Sequence, residues 1–268
     1  MTFLEKLNNK GIRYRNLIAT FENWNQFILF KMTAKAGDAF TFKLRNAFSI
    51  TVEKKMLGPF RDVFFDDKYL KHLPADRFPK KDLVVVDIGA NVGYFSLFAL
   101  YRFPGSRVLS FEPMPFCFNQ LEKYCTTFKN PSFSVYNYAV GNIDGEIDFY
   151  VHDANEFSTD STIHPGAGLT RLTVKSYTLK TLISTLHTGK IDLIKLDCEG
   201  AEYDILYAMT PQELLGIENI TMEVHNVDKK SKNLVKMVQF LKENDFKVFH
   251  ENLYSNPLGG HVWATRYH

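Results

Sequence analysis

The hydrophobic period of this chain changes several times, and the changes divide it. Over residues 1–36, Leu17, Phe21, Trp24 and Ile28 recur at three- and four-residue steps, which predicts a helix with one apolar stripe. Such a stripe packs on the main domain or on a second subunit, so it offers a homodimer contact. A membrane-surface helix fits less well, because Lys31 and Lys35 are few and Glu22 interrupts the face. Residues 40–52 then alternate: Phe40, Phe42 and Leu44, a polar break at Arg45-Asn46-Ala47, and Phe48, Ile50 and Val52. That is a hairpin pattern. Gly58-Pro59 opens a helical segment over residues 60–69, whose Phe64, Phe65 and Tyr69 serve either as core or as a lid over a pocket.

From Leu83 a strand–helix rhythm sets in. Val84, Val85, Val86 and Ile88 suit a strand buried on both faces, and Phe95, Leu97, Phe98 and Tyr101 then lie on one helical face. Strands follow at 107–112, 133–137, 191–197, 217–224, 246–249 and 261–265. Helices fall at 115–127, 178–186, 201–209 and 229–244, and residues 146–151 and 172–176 form a short antiparallel pair. The loop over 153–170 is rich in Ser, Thr, Gly and Asp, and a loop of that length is functional or mobile. The expectation is an α/β, Rossmann-like seven-stranded sheet with helices on both faces over residues 79–268. An N-terminal helical and hairpin extension occupies 1–78.

Composition narrows the partners. At 268 residues there is room for one sizeable α/β domain plus an extension. A net charge of +2 makes no basic field, so no nucleic-acid partner is expected. No apolar run approaches the roughly 20 residues of a membrane span, and the first twenty residues lack the apolar core of a secretory signal. Cys117, Cys125 and Cys198 make no CxxC pair, which favours a reducing, cytoplasmic setting. The 24 phenylalanines must largely line a core or an apolar cleft.

The chemistry gathers at strand ends. Asp87, Glu112, Ala139-Val140, Asp197 and Glu223-Val224-His225 all sit where predicted parallel strands finish, the place where open sheets bind ligands. Between Asp87 and Gly93 the spacing is D-x-G-x-N-x-G, not the G-x-G-x-x-G of a dinucleotide site. Asn91 hinders a diphosphate and suits an amino-acid moiety, while Glu112, about 20 residues past Gly89, stands where an acid binds ribose hydroxyls. A nucleoside with an amino-acid tail, S-adenosylmethionine, is the cofactor implied. Two routes would deprotonate an acceptor hydroxyl. In one, Asp197, Glu223 and His225 hold a divalent cation of Mg or Mn type. In the other, Glu199, Glu223 or His225 is a general base. Glu199 and Glu202 also read simply as acids opening a helix, favoured by its dipole.

The stretch 84–97, Phe111-Glu112-Pro113, Ala139-Val140-Gly141 and the block Ile194-Lys195-Leu196-Asp197-Cys198-Glu199-Gly200-Ala201-Glu202 together resemble the FkbM-type methyltransferases. The resemblance covers about residues 84–225 and implies a class I methyltransferase fold and O-methylation, often of a sugar or natural-product hydroxyl. It also implies roles. Gly89, Asn91 and Gly93, with Tyr94 beside them, would cradle the methionine part, and Asp87 would orient that loop. Glu112, beside Pro113, would hold the ribose. The backbone at Ala139 and Val140 would meet the adenine, and Asp197 would face the methyl-donor centre. One departure is Leu179-Lys180, where the family carries Leu-Asp, a surface or capping acid. A protein or lipid acceptor, or a non-catalytic cofactor-binding module, stands as the alternative. An N-methylating nucleic-acid enzyme fits less well, since no [ND]-P-P-[YF] follows the 191–197 strand.

Overall fold

The computed structural model describes residues 3–35, 37–45, 48–78, 82–151, 168–252 and 259–266. They form two compact units, residues 1–71 and 72–268. Nearly all of the predicted 153–170 loop lies outside the described residues.

The first unit holds helices α1 (Phe3–Thr20) and α2 (Trp24–Thr33), strands β1 (Ala39–Lys43) and β2 (Ser49–Glu53), and helix α3 (Leu57–Phe64). β1 and β2 pair antiparallel, Phe42 opposite Ile50, as the alternation requires. The single N-terminal helix is instead two. Phe21 leaves the helix to bridge Leu44, and the Asn23 side chain donates to Thr41 O and accepts from Lys43 N. These bonds reset the phase of the second helix. Leu17 and Phe21 are buried, but Phe27 replaces Trp24 and Ile28 as the inward residue, and Ile28 is 38% exposed. Phe21 centres an aromatic core with ring centroids 4.9 Å from Phe42, 5.8 Å from Phe60, 5.7 Å from Phe64 and 5.8 Å from Phe65. Phe64 and Phe65 therefore pack as core within this unit.

The second unit begins its sheet with β3 (Val84–Ile88), helix α4 (Tyr94–Arg102), β4 (Arg107–Phe111), α5 (Pro115–Phe128) and β5 (Phe133–Tyr136). Next come β6 (Ala139–Gly141), β7 (Gly145–Val151), β8 (Thr170–Thr178), α6 (Leu179–Thr185), β9 (Leu193–Leu196), α7 (Glu202–Tyr207) and α8 (Pro211–Leu214). The chain closes with β10 (Asn219–His225), α9 (Leu234–Glu243), β11 (Phe246–Asn252) and β12 (Gly259–Arg266). The main sheet runs β11-β12-β10-β9-β3-β4-β5, and only β12 is antiparallel to its neighbours there. β6, β8 and β7 make a separate small sheet, with the β7–β8 pair antiparallel as its alternation predicts.

All four residues of β9 are buried, which explains its unbroken Leu-Ile-Lys-Leu run: both faces are covered. One face meets α6, α7 and α9 through a core that includes Leu196, Tyr203, Leu206, Met237 and Leu241. On the other face of the sheet α4 packs against β3 and β4, and its Ser96 bonds Asp87. α9 begins at Leu234, five residues later than its periodicity predicts. The Asp228 carboxylate gathers the backbone N–H groups of Lys230, Ser231 and Lys232 into a turn, and Asn233 then caps the helix by accepting from Lys236 N. The strand order reverses at β3, between β4 and β9, so the crevice opens beyond the ends of β3 and β9.

Candidate active site

Sheet register assembles a polar row beneath that crevice. Ser110, Asp87 and Lys195 are direct neighbours across β4, β3 and β9. Asp87 is fully buried and Lys195 nearly so, with Nζ 3.1 Å from Asp87 Oδ1. Lys195 Nζ also donates to Gly89 O at 2.6 Å and Ile88 O at 3.4 Å. Ser96 Oγ donates to Asp87 Oδ2 at 2.5 Å and lies 2.7 Å from Ser110 Oγ. Burial alone would lower the Lys195 pKa, but the carboxylates of Asp87 and Asp197 outweigh it and raise it, so the ammonium stays charged. Lys195 thus ties Asp87 to the backbone of the following loop, and Ser96 holds the other carboxylate oxygen. Lys195 escapes a reading of the sequence for sites; its signal is a lone lysine inside a strand otherwise made of Leu and Ile.

The loop after β3 is then fixed by close packing. Gly89 and Ala90 N–H groups both donate to Phe111 O at 3.0 Å. Gly89 has φ +71°, and a Cβ there would lie 2.0 Å from the Asp197 carbonyl oxygen, so this position accepts only glycine. Gly93, at φ +89°, packs on Leu121 and precedes α4, where Tyr94 is buried. Asn91 adopts the left-handed region at φ 51°, and its Oδ1 accepts from Val92 N at 2.7 Å. Its side chain therefore shapes the loop.

Glu112, just past β4, accepts from Asn91 N at 2.7 Å and from Met114 N at 2.8 Å. Burial pushes its carboxyl up to about 7, although those two bonds and Lys195 pull the other way. Asn137 Nδ2 donates to the carbonyls of Glu112 and Pro113, holding that turn. Ala139 and Val140 are buried in β6, an edge strand of the small sheet.

At the ends of β9 and β10 an acid–imidazole cluster forms. One ligand-type atom from each of Asp197, Glu199 and His225 lies within 4.8 Å of the others. Glu199 reaches this position by a left-handed φ of 52°, followed by Gly200 at φ +104°. Its Oε2 is 3.3 Å from His225 Nε2, while His225 Nδ1 is 3.3 Å from Glu202 Oε1. Tyr203 OH donates to His225 O at 2.9 Å. Burial pushes the Glu199 carboxyl up to about 7, and His225 counters it. Burial works against protonation of His225, yet Glu202, Glu199 and Asp197 lift it to about 9.

Of the four residues expected to do chemistry, the structure brings Asp197, Glu199 and His225 into this group. Glu223 is not a member. It sits two positions earlier on β10, inside the sheet opposite His261. Glu202 is a further contributor, legible beforehand only as a helix-opening acid. Cys198 packs on the sheet core, as its small apolar character implies.

A seven-stranded sheet with a single antiparallel strand, a glycine turn at its switch point and acids beyond its central strands defines a class I, Rossmann-like methyltransferase. The chain belongs to the methyltransferase FkbM domain family, whose model matches residues 87–248, more than half of the chain. It is 26% identical to Methyltransferase 1 of Beauveria bassiana over 61% of this chain and 71% of that protein. It is 27% identical to 31-O-demethyl-FK506 methyltransferase FkbM of Streptomyces tacrolimicus, covering 72% of this chain and 82% of that one. The hexuronic acid methyltransferase AglP of Haloferax volcanii is 25% identical over 56% of this chain and 60% of its own length. Among the described residues, no helix is long and apolar enough to cross a membrane.

Proposed function

We propose that this protein is an S-adenosylmethionine-dependent O-methyltransferase acting on a hydroxyl of a carbohydrate or natural product. The observation that carries the reading is the convergence of Asp197, Glu199 and His225 beyond β9 and β10, next to a loop whose Gly89 packs on the Asp197 backbone. The names of two relatives, a hexuronic acid methyltransferase and a 31-O-demethyl-FK506 methyltransferase, support the acceptor class.

The residues at the crevice suit the cofactor. The Gly89–Gly93 loop admits close backbone approach, Glu112 retains acceptor lone pairs for ribose hydroxyls, and the backbone of edge strand β6 at Ala139 and Val140 suits an adenine rim. When bound, S-adenosylmethionine supplies a methyl group already activated by its sulfonium. The protein then has to align an oxygen nucleophile and remove its proton. Glu199, half-exposed and with its affinity for protons raised by burial, accepts that proton at a carboxylate oxygen. His225, held between Glu199 and Glu202, presents Nε2 to the same space.

The same donor set of two carboxylates and an imidazole also suits a divalent cation of Mg or Mn type, held by Asp197, Glu199 and His225. Such an ion would lower the pKa of the acceptor hydroxyl.

Calorimetry with S-adenosylhomocysteine, run with and without EDTA, tests the cofactor claim; absence of binding would sink it. Methyl-labelled S-adenosylmethionine offered to a panel of hexuronic acids and 31-O-demethyl-FK506 tests the acceptor class. Transfer to a protein or lipid fraction alone would redirect the reading. Turnover unaffected by chelation would remove the cation.

A further inference from the structure

We infer that Glu202 is a positioning residue of the active site, a buried carboxylate that sets both the turn carrying Glu199 and the ring of His225. The inference rests on the reading above that His225 and Glu199 face the acceptor. Glu202 is fully buried, at the start of α7. Its Oε1 accepts from Cys198 N at 2.8 Å and Gly200 N at 3.3 Å, the two amides flanking Glu199. Glu199 itself takes a left-handed conformation, which costs free energy in a residue other than glycine and persists only when neighbours impose it. The Glu202 carboxylate supplies that constraint.

The same oxygen lies 3.3 Å from His225 Nδ1. An Nδ1–H donated to a carboxylate fixes the rotation of the ring and directs Nε2 toward Glu199. Tyr203, the next residue of α7, fixes the backbone of His225 by donating to its carbonyl oxygen. One short helix therefore holds both members of the pair that meets the acceptor, while neither Glu202 nor Tyr203 needs to touch it. Dipole preference alone explains an acid at this helix start, but not a fully buried one shared among two amides and an imidazole.

The test is NMR of the histidine rings in 15N-labelled protein. The His225 signal is assigned by its loss in His225→Gln among the eight histidines. In the parent protein a downfield, slowly exchanging His225 Nδ1–H resonance is expected. Glu202→Gln keeps an acceptor for the Cys198 and Gly200 amides but removes the charge. It should move that resonance upfield, hold S-adenosylhomocysteine affinity within about twofold, and lower turnover of an acceptor found in the panel above by roughly 10–100-fold. A fast-exchanging His225 ring in the parent, a resonance unmoved in Glu202→Gln, or undiminished turnover overturns the inference. Glu202→Met, which removes the acceptor outright, should abolish the resonance. If that variant does not fold, Glu202→Gln still decides. Full turnover in His225→Gln would instead defeat the functional reading, while the resonance would still report whether Glu202 holds the ring.

Discussion

Lys195 and Asp87 form an ion pair at 3.1 Å in the middle of the sheet, and the lysine also donates to the carbonyls of Ile88 and Gly89. The pair links the strand that leads to the acid cluster with the loop expected to carry the cofactor. Buried pairs of this kind are weak evidence for net stability, since desolvation offsets their attraction. Breaking one is another matter, because a charge is then left buried alone. Lys195→Met should cost about 3–5 kcal/mol and weaken S-adenosylhomocysteine binding, read by urea unfolding and calorimetry. An unfolding free energy and affinity equal to those of the parent would show the pair to be dispensable.

Gly89→Ala should abolish cofactor binding, because its Cβ would fall 2.0 Å from the Asp197 carbonyl oxygen and only backbone movement could relieve that. Gly11→Ala is the contrast. Gly11 lies exposed inside α1 with nothing within 4 Å of an added Cβ, so the change should stabilise the helix by about 0.5–1 kcal/mol. Calorimetry with S-adenosylhomocysteine checks the first variant and thermal unfolding the second.

S-adenosylhomocysteine affinity should rise as pH increases through about 7, where buried Glu112 loses its proton and becomes a full acceptor for ribose hydroxyls. The linkage to folding has the opposite sign. Between the ordinary 4.5 and about 7 the folded state holds a proton that the unfolded state has released, so this group lowers stability as pH rises. Glu112→Gln should flatten the binding profile. A slope that survives the substitution would assign the titration elsewhere.

Glu199→Gln should lower turnover far more than Glu223→Gln, with S-adenosylhomocysteine affinity little changed in either. The reason is placement: Glu199 belongs to the cluster with Asp197 and His225, and Glu223 does not. Steady-state rates with an acceptor from the panel decide it, and the reverse order would return Glu223 to the chemistry.

Lys180 is paired, its Nζ 2.8 Å from Glu213 Oε1, while Glu213 also closes a capping box with Thr210 at the start of α8. The salt bridge ties α6 to α8. The Lys180 bond, then the Thr210 bonds, pull the Glu213 carboxyl down to about 2. With the folded value below the unfolded one, the stabilisation is present above the ordinary 4.5 and lost as pH falls through about 2. Lys180→Ala should shrink that acid loss, measured as the urea midpoint against pH. An unchanged profile would mean the pair carries no acid dependence.

Much of the frame could be read from the residues in order. The Val84–Ile88 run, the alternation at Phe40–Phe42 and at Ile147–Phe149, and the glycines at 89 and 93 each obey local rules, since burial and left-handed turns leave short-range patterns. What the sequence determined was therefore the strands, the turn after β3 and the placing of Glu112 and Asp197 just past strand ends. Tertiary structure decided which polar groups meet. Register across β4, β3 and β9 lines up Ser110, Asp87 and Lys195, residues with no sequence spacing in common. The bridge from Phe21 to Leu44 breaks the first helix and turns Phe27 inward in place of Ile28. The left-handed turn at Glu199, held by Glu202, brings that acid to His225 and leaves Glu223 in the body of the strand. The sheet register, the Phe21–Leu44 bridge and the meeting of Glu199 with His225 all join segments far apart in the chain, and such contacts leave no period for a sequence to display.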